Sequence, residues 1–196
     1  LEQLARHDYK GARSSFSDLL ENDPGSVDGH IGEARAFIGL GKFSRALEEA
    51  DRALTSSKGN PDALISRAQA YNGLHKYKEA LADCVQVLKS KPKAVQALYT
   101  KALAEVGLER YKEALDDANK AADVEPLNAT AISVRARICL LLEQYERAAK
   151  DCDKAISLDE RLGTAYLCRG KCYQRLGRKD LAEADFKMAK KLGCQE

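Results

Sequence analysis

The sequence predicts an all-α fold, a solenoid of stacked antiparallel helix hairpins, and three observations carry that prediction. The 196-residue chain repeats itself every 34 residues: "YKEALADCVQVLKSKP" at Tyr77 to Pro92 is followed by "YKEALDDANKAADVEP" at Tyr111 to Pro126. Stepping by 34 from Ala80 gives Ala12, Ala46, Ala114, Ala148 and Ala182, and three residues earlier the same step gives Tyr9, Phe43, Tyr77, Tyr111, Tyr145 and then Lys179. A further column runs Ala34, Ala68, Ala102, Ala136 and Gly170. Small residues let helices approach closely and aromatics fill the space between them, so these columns describe packing. Within a repeat, apolar residues recur twice at helical period, as in Leu64, Ala68, Tyr71 and then Ala80, Cys84, Val87, Leu88.

In chain order the repeats are a partial one at residues 1–26, then 27–60, 61–94, 95–128, 129–162 and 163–196, read as a single domain. Leu1 falls in the middle of a first helix, and the second helix of that repeat, with Ala12 and Phe16, must stop at Pro24. Gly41 and Gly177 stand where the first helices of the second and sixth repeats end and a residue tolerant of positive φ is needed. Pro92 and Pro126 stop the second helices of the third and fourth repeats. Thirty-four residues cannot bury their own apolar surface, so neighbours must stack to cover it. Lys179 and Lys190 make the last helix more polar than its equivalents, either as a partial cap or beside a further domain. With a cut first helix and no closing helix after Glu196, the chain is expected to be a piece of a longer protein.

Composition narrows the function classes. Hydrophobic residues at 44% and charged ones at 32% belong to a folded chain, and 32 basic against 30 acidic residues leave a net charge of +2, no general attraction for nucleic acid or membrane. No apolar run approaches the ~18 residues of a membrane span, and the first residues lack a secretion signal, so a cytoplasmic chain is expected. Cys84, Cys139, Cys152, Cys168, Cys172 and Cys194 contain no C-x-x-C pair, and His7, His30 and His75 lie far from them in sequence. They read as thiols of a reducing compartment, with no metal site. "IGLGKF" at Ile38 to Phe43 is a helix end and turn rather than a phosphate loop, and each histidine is isolated from a nucleophile. No cofactor and no catalysis are expected.

The pattern resembles the tetratricopeptide repeat, whose signature runs aromatic-x-x-Leu-Gly-x-x-Tyr, Ala-x-x-x-Phe, Pro. Tyr166, Gly170, Tyr173, Ala182 and Phe186 match it in the last repeat, and Ala12, Phe16 and Pro24 in the first. The departures are His30, Leu64, Leu98 and Ile132 at the first aromatic, and Lys58, Glu160 and Cys194 at the proline. The resemblance implies a right-handed superhelical solenoid whose first helices line a concave groove. On that register the wall comprises Asp28, Ile31, Gly32 and Arg35, then Asp62, Ile65, Ser66 and Gln69. It continues through Gln96, Tyr99, Thr100 and Leu103, then Thr130, Ser133, Val134 and Arg137. Thr164, Leu167, Cys168 and Lys171 complete it, with Arg175 beyond.

Segments such as "AAKDCDKAISLD" (Ala148 to Asp159) look like repeats of heat-shock co-chaperones, which grip a C-terminal carboxylate with a clamp of Lys, Asn and Arg. The matching places hold Ile31 and Arg35, Ser66, then Gln96 and Thr100, and neither later frame supplies the donors, so no such clamp is expected. The resemblance thus implies a non-catalytic scaffold or adaptor that holds a peptide or helix of another protein in its groove. The alternative is a nucleic-acid-binding repeat protein using Arg35, Arg137, Lys171 and Arg175, against which the near-neutral charge and the missing aromatic series count.

Three further features are read two ways. Gly39, Gly73 and Gly107 form one column, either a frayed helix end, which is preferred, or a bare strip where a partner's backbone approaches. Arg67, Lys101, Arg135 and Arg169 form a column of cations, preferred as long side chains lying over helices with their heads in water, and otherwise a phosphate reader. Glu105 enters an apolar column and is expected to pair with Lys101 one helical turn away. Net charge is uneven along the array, +3 over residues 61–94, −3 over 95–128 and +4 over 163–196, so the last repeat is where an acidic peptide would begin to dock.

Overall fold

The computed structural model describes residues 8–194; Leu1 and His7, and Glu196 at the other end, fall outside them. Among the described residues the chain forms eleven α-helices and no strand. They are α1 (Tyr9–Asn22), α2 (Val27–Gly39), α3 (Phe43–Ser56), α4 (Pro61–Gly73), α5 (Tyr77–Ser90) and α6 (Val95–Gly107). There follow α7 (Tyr111–Val124), α8 (Ala129–Leu141), α9 (Tyr145–Leu158), α10 (Gly163–Arg175) and α11 (Lys179–Lys191).

Local chemistry sets these boundaries. The Ser26 hydroxyl accepts the N–H of Gly29 at 3.2 Å at the start of α2. Asn60 accepts from Asp62 and Ala63 ahead of α4, where Pro61 takes the first helical position, and Asn128 accepts from Ala131 ahead of α8. The second helices α3, α5, α9 and α11 start without a side-chain cap because the turn before them is closed by backbone. Lys42, Lys76, Gln144 and Arg178 donate their N–H to Phe37, Tyr71, Cys139 and Tyr173 across six-residue turns at 2.8–2.9 Å. The residue before each donor is left-handed: Gly41 at φ +69° and Gly177 at +73°, but also His75 at +59° and Glu143 at +60°. Helices α1, α5 and α7 end two residues before Pro24, Pro92 and Pro126, since proline excludes helical geometry from its predecessor.

Contacts divide the protein into two compact units, one through Leu108 holding α1 to α6 and one from Glu109 holding α7 to α11. Within each, consecutive helices pack as antiparallel hairpins, and first helices of adjacent repeats also touch: α2 on α4 and α4 on α6 in the N-terminal unit, α8 on α10 in the C-terminal one. The alanine columns are their core. Ala34, Ala46, Ala68 and Ala80 are fully buried in the first unit, as are Ala114, Ala136 and Ala148 in the second.

Candidate functional site

On the N-terminal unit the first-helix wall is made by α2, α4 and α6. Arg35 donates to the carboxylate of Asp62, tying α2 to α4. Beside this pair Asp28, Ile31, Gly32, Arg35 and Asp62 meet around a cleft of about 270 Å³ that Phe16 and Asn60 complete. Phe16 reaches the wall because Gly32 has no side chain: a Cβ there would lie 2.3 Å from the Phe16 ring. The other wall positions divide by burial. Ile31 and Ile65 are core residues, while Ser66 and Thr100 are fully enclosed, the Ser66 hydroxyl donating to the Asp62 carbonyl on its own helix at 2.8 Å. Arg35, Gln69, Gln96, Tyr99 and Leu103 keep part of their surface.

On the C-terminal unit Val134, Ser133 and Cys168 are buried, whereas Thr130, Arg137, Thr164 and Arg175 are exposed and Leu167 and Lys171 half-buried. Arg137 of α8 and Lys171 of α10 hold the same place in adjacent, packed first helices. Lys171 and Arg175 line a cleft of about 330 Å³ with Leu140, Leu141, Glu143, Tyr145 and Gln174. Tyr145, Leu141 and Gln174 were not among the expected wall residues; the available signal was the break in the glycine column, which continues as Leu141 and Arg175.

That column has a structural cause. Gly39, Gly73 and Gly107 do close α2, α4 and α6, but the space they leave is filled from within the chain. A Cβ on Gly39 would lie 2.3 Å from the Tyr9 ring, one on Gly73 2.3 Å from Phe43, and one on Gly107 2.4 Å from Tyr77. Each ring opens the second helix of the preceding repeat and lies across the end of the next first helix. The strip is therefore no surface for a partner's backbone.

The cation column is corrected as well, because its heads are not in water. Arg67 makes a two-pronged contact with Asp83, both bonds 2.8 Å, and adds Asp51 at 3.0 Å. Arg169 does the same with Asp185 at 2.7 and 2.8 Å and with Asp153 at 2.7 Å. Arg135 holds Asp151 at 2.7 and 2.8 Å. Hydrogen bonds from Arg67 to Asp83, from Arg135 to Asp151 and from Arg169 to Asp185 are the main reason these guanidiniums sit above their ordinary pKa. With their donors engaged inside the protein they cannot serve as phosphate readers. Lys101 donates to Glu105 at 2.6 Å, the pairing their spacing indicated.

All six cysteines are unpaired, five of them buried. Burial pushes Cys84 up to about 12, and in the C-terminal unit Cys168, hydrogen-bonded to Cys152, and Cys172, hydrogen-bonded to Cys168, are also raised. Cys152, Cys168 and Cys172 pack with Cys139, Ala136 and Ala148 as part of the core, and Cys84 packs with Ala68, Ala80 and Ala104. No group of three His, Cys, Asp or Glu among the described residues is placed to hold a metal ion, and no helix there is long and apolar enough to cross a membrane.

Comparison with known proteins decides the family. Two models of the tetratricopeptide repeat match the chain, one over residues 3–70 and one over 99–163. The chain belongs to the tetratricopeptide repeat family. A model described as anaphase-promoting complex, cyclosome, subunit 3 matches residues 40–121. Among solved structures, the tetratricopeptide repeat protein from Parabacteroides merdae ATCC 43184 is 24% identical with a TM-score of 0.78, over 99% of this chain and 76% of that one. TTC0263, a thermophilic protein of Thermus thermophilus, is 22% identical with a TM-score of 0.77, over 84% of this chain and 90% of that one. YrrB, described as a tetratricopeptide repeat protein with an unusual peptide-binding site, is 19% identical with a TM-score of 0.55, over 92% of this chain and 93% of that one. No curated protein matches the chain. As a tetratricopeptide repeat protein, the chain is in general terms a protein-interaction scaffold.

Proposed function

We propose that this tetratricopeptide repeat protein is a non-catalytic adaptor that holds a peptide or helix of a partner protein against its first helices, with an acidic segment of that partner lying on α8 and α10. The observation that carries the reading is a division among its cations. Arg67, Arg135 and Arg169 are committed to buried aspartates, whereas Arg137, Lys171 and Arg175 form no ion pair among the described residues. Two of the three line the same cleft, beside the apolar surface of Leu140 and Leu141. A partner carboxylate meeting them gains a charge-assisted contact and displaces none made within the protein. The description of YrrB by its peptide-binding site supports the same general mode.

The reading involves no carboxylate clamp of the heat-shock co-chaperone kind, because Ile31 and Thr100 are buried at its places and the Ser66 hydroxyl is engaged by Asp62. Buried unpaired thiols fit a reducing compartment such as the cytoplasm. Affinity capture with the chain and with its Arg137→Glu/Lys171→Glu variant tests the proposal. Partners bound by the former and lost by the latter are expected; retention of every partner would assign binding to another surface.

A further inference from the structure

The second repeat breaks the arginine column, and the break opens a cavity. Where the other repeats carry Arg67, Lys101, Arg135 and Arg169, this one carries Glu33. Glu33 is more than nine-tenths buried, yet among the described residues no cation pairs with it: there it accepts only the Ser17 hydroxyl, at 2.9 Å. Glu49, at the place of Asp83, Asp151 and Asp185, is already occupied by His30, whose Nδ1 lies 2.7 Å from Oε2, and by Arg52 at 2.8 Å. His30 is held at its other nitrogen too, Nε2 donating to the Pro24 carbonyl at 3.0 Å. One buried carboxylate is thus left facing a cavity of about 580 Å³ between α1, α2 and α3, within the ~300–1,000 Å³ typical of ligand clefts.

The surroundings of that carboxylate favour a guanidinium. The cavity is lined by the last turn of α1, at Leu20 and Glu21, and by the end of α3, at Arg52, Thr55 and Ser56. The Arg52 guanidinium is turned onto Glu49 and leaves Glu33 without a charge partner among the described residues, and the C-terminal ends of both helices carry partial negative charge. Leu20 and Pro24 offer an apolar wall for a three-carbon stem, and Ser17, Thr55 and Ser56 carry oxygen acceptors beside Glu33. The donor set for a metal ion is missing among the described residues. Only a ligand with several fixed donors uses all of these acceptors.

We propose that this cavity receives an arginine side chain of a partner protein, which supplies from outside the cation that the other repeats supply from within. The site is separate from the peptide-holding surface, since Glu33 and His30 lie on the face of α2 opposite Asp28, Ile31 and Arg35. The probe is N-acetyl-arginine methylamide, titrated into the whole chain and followed by amide chemical shifts, with the lysine and the uncharged citrulline analogues as controls. Saturable shifts confined to the surroundings of Ser17, His30 and Glu33 are expected, with arginine at least tenfold tighter than either control. Glu33→Gln should weaken arginine binding about tenfold. Glu33→Arg, which restores the column, should abolish it and raise the melting temperature. No saturable shift at the cavity, equal binding of citrulline or lysine, or unchanged binding by Glu33→Gln overturns the proposal. Should Glu33→Gln fail to fold, the contrast between arginine and citrulline on the natural chain decides alone.

Discussion

The ring of Tyr77, at the start of α5, fills the place where a side chain on Gly107, at the end of α6, would stand: a Cβ there would lie 2.4 Å from the ring atoms. The same relation joins Tyr9 to Gly39 and Phe43 to Gly73. Alanine normally stabilises a helix relative to glycine by about 1 kcal/mol. Here the ring body, not a flexible tip, is in the way, so Gly107→Ala should destabilise the protein by about 1–3 kcal/mol, as overpacking does. Urea unfolding measures this; a gain in stability would show that the ring moves aside freely.

The aspartates that hold the arginine column differ in what they leave behind. Asp151→Ala strips Arg135 of its only carboxylate partner among the described residues, which should cost about 3 kcal/mol. Asp83→Ala leaves Arg67 with Asp51, and the loss should be smaller, on the order of 1–2 kcal/mol. Parallel denaturation curves test the order; equal losses would mean that Asp51 contributes nothing.

Stability should fall in alkali. Burial raises Cys84 from its ordinary value to about 12, so between pH 9 and pH 12 the folded state retains a proton that the unfolded state has released. The contribution is fully present below pH 9 and is lost as pH rises, at up to about 1.4 kcal/mol per pH unit for this thiol. Cys139, Cys168 and Cys172, also raised, act in the same direction. The midpoint of urea unfolding should drop between pH 9 and pH 11, and Cys84→Ala should flatten the drop. An unchanged slope in that variant would contradict the assignment.

Glu143 holds φ +60° at a turn where Gly41 and Gly177 adopt the same geometry without strain. Glu143→Gly should therefore stabilise the chain by about 1 kcal/mol. A lower thermal midpoint for the variant would show that its turn gains more from the side chain than the geometry costs.

The hairpins were legible in the sequence because each is encoded by residues that pack against their own repeat and the next. Ala46 and Ala80 are small for the same reason, and both are fully buried. The binding surface was less legible because its residues are told apart by what lies across a hairpin. Arg67 and Arg137 are both arginines on first helices, yet one is tied to an aspartate 16 residues on and the other makes no ion pair among the described residues. That spacing has meaning only once the hairpin between them is known. Ser66 and Gln69 looked equally available, but the Ser66 hydroxyl turns back onto its own helix. Glycine at positions 39, 73 and 107 read as a frayed helix end, with an open strip as the alternative, because the rings that cover it come from the preceding repeat.

The central claim is that Arg137, Lys171 and Arg175 are available to a partner while the repeated arginines are structural. Calorimetric titration of a peptide from a captured partner tests it most directly, against the natural chain and against its Lys171→Glu/Arg175→Glu variant, with melting curves run alongside. The account predicts binding at least tenfold weaker for the variant, an unchanged melting temperature, and affinity for the natural chain that falls with added salt. Equal affinity for both proteins, with the fold intact, would contradict it.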